Sequence, residues 1–260
     1  AWAFTNVGED VDDYLQEKLS EDGSKYLAAV ENGQERYEPV IERTETIKVK
    51  GEADVSYVAR ATPRGPLIKL DQLEGWFSRQ WLPLKPGILR APFTLGEAKD
   101  LEGLNRVLDN MKVPAQNVVM ADRTGRIGYR ASGTTVNRAV SGRLPRTATT
   151  GAWLGTLPPS TRRRKIIPPA QTATTVRWLA TANERIWVDK FGHGWNHDLR
   201  SDRIRTVLSS KTPLGREDMV KLQLDTTSRY MQLVLHWVAN NATELDPATK
   251  KVWLKWDGSV

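Results

Sequence analysis

The 260-residue sequence predicts a mixed α/β fold of the α+β type, in which strands and one helix come first and helices form the C-terminal end. Three observations predict this order. Two segments alternate apolar and polar residues as the strands of a hairpin do. A third segment has one apolar stripe at helical spacing. After about residue 200 the character changes to helical spacing, which is typical of a strand-rich region followed by a helical one.

The first predicted hairpin lies in the first quarter of the chain. Ile47 and Val49 alternate with polar residues before Gly51, and the same period of two resumes at Val55 and Tyr57. Because alternate residues of a strand point to opposite faces, we expect these apolar side chains to form one buried face. Gly51 supplies the turn between the two strands.

The predicted helix follows Glu97 and carries its apolar residues on one face. These residues recur at steps of three and four positions: Leu101, Leu104, Leu108 and Met111. Pro114 lies beyond the end of the stripe, where a proline no longer removes a helix hydrogen bond. The stripe indicates a helix that packs on one side only.

The second predicted hairpin is the clearest local pattern in the chain. Residues 117–121 form an apolar strand, and Asp122 to Gly125 supplies the turn. Ile127, Tyr129 and Ala131 then alternate along the returning strand. The sequence therefore predicts two adjacent antiparallel strands here.

A segment without a sustained period follows the second hairpin. Residues 132–175 are rich in Gly, Pro, Ser, Thr and Arg, and we expect a long loop there, of the kind that is usually functional or wraps a neighbouring surface. Residues 176–182 indicate a further short strand.

Three helices are predicted toward the C-terminal end. Residues 204–208 indicate the first and residues 219–238 the second. Asp246-Pro247 indicates the start of the third, because Asp is a favoured N-cap and Pro is tolerated at the first helical position. We therefore expect a core segment over residues 1–205 and the start of a helical region over residues 206–260.

Composition and charge exclude several classes of protein. Lys and Arg number 38 against 31 Asp and Glu, which gives a net charge of +7. Apart from residues 162–165 the basic residues are scattered among acids, so we expect no nucleic-acid partner. The absence of Cys excludes disulfides, thiolate catalysis and Cys-ligated zinc. No apolar run approaches the ~20 residues that a membrane span requires.

Motifs for common enzyme mechanisms are missing from the sequence. It has no Gly-x-Ser-x-Gly elbow, no phosphate-binding Gly-rich loop and no Gly-x-Gly-x-x-Gly turn. His193 and His197 have a zinc-like spacing, but Gly192 and Gly194 argue against a helix there, and we interpret both as loop residues without a metal. His236 lies in an apolar helical run, where we expect a packed, hydrogen-bonded side chain.

The densest cluster of chemically capable residues is the acidic segment from Glu9 to Asp13. Three interpretations stay open on composition alone. It is a solvated turn, the acidic first turn of a helix, or part of a calcium site in which carboxylates and a backbone carbonyl supply oxygen ligands. An EF-hand is excluded, because its Gly and terminal Glu are missing.

From this cluster onward the sequence resembles the β chain of the penicillin acylases, which are N-terminal nucleophile hydrolases. The resemblance is carried by the order and spacing of several segments across nearly the whole chain. These segments are Trp2, Gly8 to Asp12, Glu45 to Val49, Ala121 to Tyr129, Arg143 to Pro145, Trp153 to Pro158, Leu179 to Asn183, Ser201 to Ile204 and Lys255 to Gly258. The fold that the resemblance implies is part of a four-layer αββα core.

The chemistry that the resemblance implies is hydrolysis of a linear amide through an acyl-enzyme. A Ser at the N-terminus of the β chain attacks the carbonyl, with its own α-amine as the base. Asn183 resembles the residue whose side chain stabilises the oxyanion, and a backbone N–H at Asn6 is the second donor. Arg203 resembles the Arg that supports the active-site network and the autoproteolytic processing step.

The resemblance also implies a structural calcium ion. Glu9 and Asp12 would be carboxylate ligands and Val11 a carbonyl ligand, with a further carbonyl near Gly142 and a further carboxylate at Asp189. Another ligand would lie upstream of this chain.

One departure from the family concerns the nucleophile. Ala1 has no hydroxyl, so we expect the catalytic Ser and the α chain, a partner from the same precursor, to lie upstream, and this chain alone to be inactive. The resemblance implies a periplasmic or secreted enzyme that acts on a small N-acyl amide. The substrate stays open between a β-lactam side chain and an N-acyl homoserine lactone. A different class is a non-catalytic module that uses some of the ten Trp as stacking platforms, and it would leave several Trp exposed.

Overall fold

The computed structural model describes residues 1–85, 91–139, 141–151, 153–157, 164–167, 178–185, 198–210, 213–241 and 245–259. Its fourteen described strands are β1 Trp2–Asn6, β2 Asp12–Glu17, β3 Lys25–Glu31, β4 Gln34–Pro39, β5 Ile41–Ile47, β6 Val55–Thr62, β7 Gly65–Leu70, β8 Leu73–Trp81, β9 Gln116–Ala121, β10 Ile127–Ser132, β11 Thr135–Asn137, β12 Arg146–Thr147, β13 Gly155–Leu157 and β14 Arg164–Ile167. The described helices are α1 Leu101–Asp109, α2 Ala148–Gly151, α3 Leu199–Ser209, α4 Arg216–Gln223, α5 Arg229–Asn241 and α6 Pro247–Lys255, with 3₁₀ segments at Leu82–Leu84 and Ala91–Glu97. The α+β class is confirmed.

Two larger sheets organise the strand-rich part. The first has the order β1-β9-β10-β14 and is antiparallel throughout. The second has the order β12-β2-β8-β7-β6-β5, in which only the β12–β2 pair is parallel among the described strands. Two pairs, β3–β4 and β11–β13, stand beside them. In the described order β1 is an edge strand, which determines the geometry of the candidate site.

Helix α1 covers one face of the first sheet. Its predicted stripe is buried against Val118 and Met120 of β9, and Phe4 of β1 packs against the same cluster. The stripe continues past the helix end to Met111, which is 1% exposed. Asp100 caps the helix by accepting a hydrogen bond from the Gly103 N–H at 2.6 Å. The predicted helix is therefore confirmed.

Both predicted hairpins form, but the expected burial of the first one is wrong. Strands β9 and β10 pair from Ile127 opposite Ala121 onward, as the alternation predicts. Strands β5 and β6 pair as well. However, Ile47, Val55 and Tyr57 are each about half exposed, at 53%, 52% and 49%. The alternation of apolar and polar residues indicates which side chains share a face of the strand. It does not indicate whether another element covers that face.

The expected long loop over residues 132–175 is also wrong in its described parts, because β11 to β14 and α2 lie there. These strands are two to four residues long. Their partners include strands far away in the chain, since β12 pairs with β2. Of the predicted strand at 176–182, residues 178–182 form no strand, and 176 and 177 lie outside the described residues.

The C-terminal end is helical, with one correction. The helix predicted from Ile204 is confirmed as α3 and the one at Asp246-Pro247 as α6, with Asp246 accepting from two N–H groups at 3.0 Å. The single helix predicted over residues 219–238 is instead α4 and α5. They are separated at Asp225, whose side chain accepts from the Thr227 N–H at 2.9 Å. The boundary expected at residues 205 and 206 stays a prediction, and it falls inside α3.

In the part of the chain that the structure describes, no helix combines the length and apolarity needed to cross a membrane.

Candidate active site

The backbone of β1 presents alternate peptide groups to an open sheet edge. Ala1 and Ala121 exchange two hydrogen bonds, from the Ala1 amino group at 2.8 Å and from the Ala121 N–H at 2.9 Å. In an antiparallel pair such hydrogen-bonded positions alternate with non-hydrogen-bonded ones. With the regular β1–β9 register, Asn6 is therefore a position whose N–H points away from β9.

Asn183 meets β1 at that position. Its Nδ2 donates to the Asn6 carbonyl oxygen at 2.9 Å, although the two residues are 177 positions apart. The Asn183 backbone has φ of 64°, a left-handed conformation that non-Gly residues rarely adopt and Asn tolerates better than most. The carboxamide nitrogen carries two hydrogens, so one donor remains after the Asn6 contact is made. Sequence prediction thus named two residues that the structure brings together.

A network of buried hydrogen bonds holds the C-terminal end of β1 in place. Asn117 of β9 is fully buried, and its Nδ2 donates to Thr5 Oγ1 and to the Asn6 carbonyl, both at 3.2 Å. The Tyr129 hydroxyl donates to Asn117 Oδ1 at 2.7 Å. The hydroxyl oxygens of Thr5 and Thr181 are 2.8 Å apart, which ties β1 to the segment that carries Asn183. Sequence analysis missed Asn117, for which the available signal was a polar residue inside an otherwise apolar strand.

These groups suit the stabilisation of a developing negative oxygen. Such stabilisation requires donors that are fixed before the reaction, because moving them into place during the reaction would cost free energy. The Asn6 N–H is fixed by the β ladder, and the Asn183 carboxamide is fixed by its contacts with neighbouring groups. The arrangement can therefore offer one backbone donor and one side-chain donor at the open end of β1.

Two Arg side chains of α3 have different partners, and only one of them contacts Asn183. Arg200 donates from Nη2 to Asn183 Oδ1 at 2.7 Å and to the Ala182 carbonyl at 2.8 Å. Arg203, the Arg that the sequence singled out, donates instead from Nε and Nη2 to Asp225 Oδ2, both at 2.8 Å. Among the described residues Arg203 thus joins α3 to the α4–α5 connection.

The Asp225 carboxylate that holds Arg203 stays ionised. Burial raises the pKa of Asp225, but hydrogen bonds from Thr227 and from Arg203 outweigh that effect, and the net pKa lies below its ordinary value. The carboxylate therefore keeps its charge at neutral pH and holds the guanidinium in place.

The family model for penicillin amidase matches residues 1–260, which is the whole chain. The chain belongs to the penicillin amidase family. Among its relatives is an acyl-homoserine lactone acylase QuiP from Pseudomonas aeruginosa, 28% identical over 254 residues, with 89% of this chain and 29% of the relative covered. A penicillin acylase 2 proenzyme from Pseudomonas sp. (strain SE83) is 26% identical over 283 residues, with 100% of this chain and 34% of the relative covered. The chain thus spans about a third of the length of these curated relatives.

A solved structure confirms the fold that the resemblance implied. A thermostable penicillin G acylase from Alcaligenes faecalis superposes with a TM-score of 0.77 at 22% identity, over 100% of this chain and 48% of that chain. The family and the N-terminal nucleophile hydrolase fold are therefore both established for this segment.

The described residues of this penicillin amidase segment do not by themselves fit a calcium ion. Both oxygens of Asp12 accept from Arg79, at 3.1 and 2.6 Å, and the Val11 carbonyl accepts from the Leu82 N–H at 3.0 Å. No group of three or more His, Asp or Glu side chains that could hold a metal occurs among the residues described. Asp189 lies outside them.

Asp13, which the sequence did not distinguish from its acidic neighbours, is the buried member of the cluster at 1% exposed. Its Oδ2 accepts from Arg138 at 2.7 Å, from Arg146 at 2.8 Å and from the Trp153 indole. A Cβ on Gly142 would clash with Asp13 Oδ1 and with the Arg138 guanidinium, so a larger residue there would require these side chains to shift. Gly142 is close to the cluster, as expected, but it packs on an ion pair.

The histidines add no chemistry to the described site. His236 is exposed, so the expected packed position is wrong, and its ring lies 3.2 Å from Asn240 Nδ2. His193 and His197 lie outside the described residues.

Proposed function

We propose that the enzyme to which this segment belongs hydrolyses a linear amide, with an acyl-enzyme intermediate on an N-terminal Ser outside these 260 residues. The observation that carries the proposal is the hydrogen bond from the Asn183 carboxamide to the carbonyl of Asn6, the residue whose N–H faces away from β9. A tetrahedral intermediate of acyl transfer needs such fixed donors around its oxyanion. Family membership over the whole chain supports the same reaction class.

In this proposal the 260-residue chain stabilises the oxyanion, and the Ser outside it attacks the amide carbon. The Ser hydroxyl would add to the amide carbon, the amine would leave with a proton, and water would then release the acid and regenerate the Ser. Asn183 and the Asn6 N–H would hold the carbonyl oxygen while it carries negative charge in both steps. Asn117 of β9 supports this arrangement by donating to Thr5 Oγ1 and to the Asn6 carbonyl at the end of β1.

Two leaving groups are compatible with this site. The relatives include proteins named as penicillin acylase and as acyl-homoserine lactone acylase. We propose an N-acyl amide substrate, either a β-lactam side chain or an N-acyl homoserine lactone. Autoproteolytic release of the Ser, a separate α chain and a periplasmic or secreted location belong to the same proposal. The calcium ion stays a prediction that depends on residues outside the described ranges.

A non-catalytic Trp module is supported only by the exposed Trp side chains, because cations of the same chain cover the faces of other Trp rings. Arg60 and Lys69 lie over the Trp76 ring, at 5.3 and 5.1 Å from its centroid. Cations likewise lie over the rings of Trp81 and Trp153. Trp faces that bind cations of the same chain are not open stacking platforms. Among the Trp that the structure describes, the exposed ones are at position 2 and in the C-terminal helical part: Trp2, Trp237, Trp253 and Trp256.

The experiment is a substrate comparison on the whole enzyme. Phenylacetyl and long-chain acyl amides of one amine, followed by homoserine lactone amides of both chains, are incubated while amine release is followed. We expect release from at least one substrate and a mass increase equal to the acyl group when the reaction is quenched early. Release from none of them, by an enzyme of confirmed fold, would overturn the proposal.

A further inference from the structure

Arg200 contacts the oxygen end of the Asn183 carboxamide and so bears on how that amide group is oriented. It is the second residue of α3, and a single atom, Nη2, donates to both Asn183 Oδ1 and the Ala182 carbonyl. The Asn183 Nδ2 end faces the Asn6 carbonyl at 2.9 Å. The guanidinium and the end of β1 therefore hold opposite ends of one amide group.

A guanidinium carries five N–H donors and no acceptor. If the carboxamide turned by 180°, its NH₂ would face Arg200 and its oxygen would face the carbonyl of Asn6. Both contacts would then be repulsive, donor against donor and acceptor against acceptor. Arg200 thus selects the orientation in which Asn183 presents hydrogens at the open edge of β1.

The backbone beside Asn183 is held by the same helix at a second point. Glu184 is 3% exposed, and its carboxylate accepts from the Ala182 N–H at 2.6 Å and from Arg205 Nη2 at 3.1 Å. With Arg200 on the Ala182 carbonyl, α3 supports both the donor and the acceptor of that residue. The left-handed backbone of Asn183 is therefore fixed from its N-terminal side.

We propose that Arg200 is a positioning residue for the reaction, which acts by holding the Asn183 carboxamide with its nitrogen toward the oxyanion. Arg203 has a different task, because its contacts run to Asp225 and Thr227. The inference rests on the proposed function, since it assigns Asn183 the task of an oxyanion donor.

The test is a set of variants of the whole enzyme, with kcat, KM and melting temperature measured for each. Arg200→Met removes the donors and keeps an unbranched chain. We expect it to lower kcat about 10- to 100-fold with little change in KM, less than the loss of a whole oxyanion donor. Arg200→Lys should recover much of the rate, because one nitrogen makes both native contacts. The matched control is Arg216→Met, an exposed Arg at the start of α4, which should leave kcat unchanged.

A double variant separates positioning from simple destabilisation. If Arg200 acts through Asn183, adding Arg200→Met to Asn183→Ala should slow the enzyme no further. Full additivity of the two effects, or a wild-type kcat in Arg200→Met, would overturn the inference while Asn183→Ala still tested the proposed function by itself. Absence of amidase activity in the wild-type enzyme would overturn both the proposed function and the inference about Arg200.

Discussion

Asp13 shows how a single residue can connect distant parts of the chain. It lies in β2, and the two guanidiniums that hold it come from Arg138 and Arg146, 125 and 133 positions away. Removing one member of a buried ion pair leaves the other charge without compensation, which is more damaging than losing the attraction itself. Asp13 therefore has a structural task that differs from that of its acidic neighbours.

We predict that Asp13→Asn destabilises the enzyme by about 3–5 kcal/mol, the usual effect of breaking a buried ion pair. Chemical denaturation measures it. Asp12→Asn is the matched control, because Asp12 is the adjacent residue, its side chain is 29% exposed and it has one Arg partner. We expect a much smaller loss there. Equal losses in the two variants would contradict the buried role of Asp13.

The catalytic roles of the site residues named from the sequence stay predictions, whereas residues whose importance depends on burial were not named at all. Asn183 and Asn6 were named from the sequence, and the structure places them in contact. Asp13 was not distinguished, because its burial is created by Arg138 and Arg146, which no local pattern connects to it. Arg200 was also not named from the sequence, because it is the packing of α3 that brings it beside Asn183.

At the scale of elements, the turn between β9 and β10 is stabilised by one carboxylate. Asp122 Oδ1 accepts from Thr124 Oγ1 at 2.6 Å and from the Thr124 N–H at 2.9 Å. Arg126 donates to Asp122 and also to both oxygens of Glu102 on α1, at 2.6 and 2.8 Å. The turn and the start of the helix are thus joined through Arg126.

This turn predicts an acid-dependent contribution to stability. The Thr124 hydroxyl, with help from Arg126 and against a smaller effect of burial, lowers the pKa of Asp122 from 3.8 to about 2. Because the folded pKa lies below the unfolded one, the stabilisation is fully present above about pH 4 and is lost as the pH falls toward 2. We expect Asp122→Asn to flatten this part of the stability curve, measured by denaturant unfolding between pH 2 and 5. An unchanged slope in that variant would show that other groups cause the acid loss.

Element prediction was accurate where the pattern is local. The α1 stripe and the β9–β10 hairpin depend on residues within one short segment, and both are confirmed. Strands β12 and β14 were missed, because each is stabilised by a partner strand elsewhere in the chain. The break between α4 and α5 was missed because the side-chain contact at Asp225 interrupts an otherwise apolar spacing.

At the scale of the whole molecule, the chain corresponds to only part of the length of its curated relatives. It matches the family over all 260 residues yet spans 29% and 34% of two relatives. Large apolar side chains of the C-terminal helices are exposed, among them Trp237 at 64% and Val252 at 67%.

We predict that the mature native protein has a chain that begins with Ser upstream of Ala1, together with a separate α chain. N-terminal sequencing and intact mass on protein from its native source measure this directly. The reason is chemical, since an N-terminal Ser supplies both the nucleophile and its α-amine base. A native chain that begins at Ala1 would leave the site with oxyanion donors and no nucleophile, and the proposed hydrolase would have to be abandoned.

The most direct measurement of the central claim is kcat of the Asn183→Ala whole enzyme beside that of Asn241→Ala, an exposed Asn near the end of α5. Both variants remove an Asn carboxamide, but only Asn183→Ala removes the one that donates to the Asn6 carbonyl. We predict a fall of roughly 10²–10³ in kcat for Asn183→Ala, the usual effect of losing one oxyanion donor, and no change for the control. An unchanged rate in Asn183→Ala, with the fold intact, would contradict the assignment of this site.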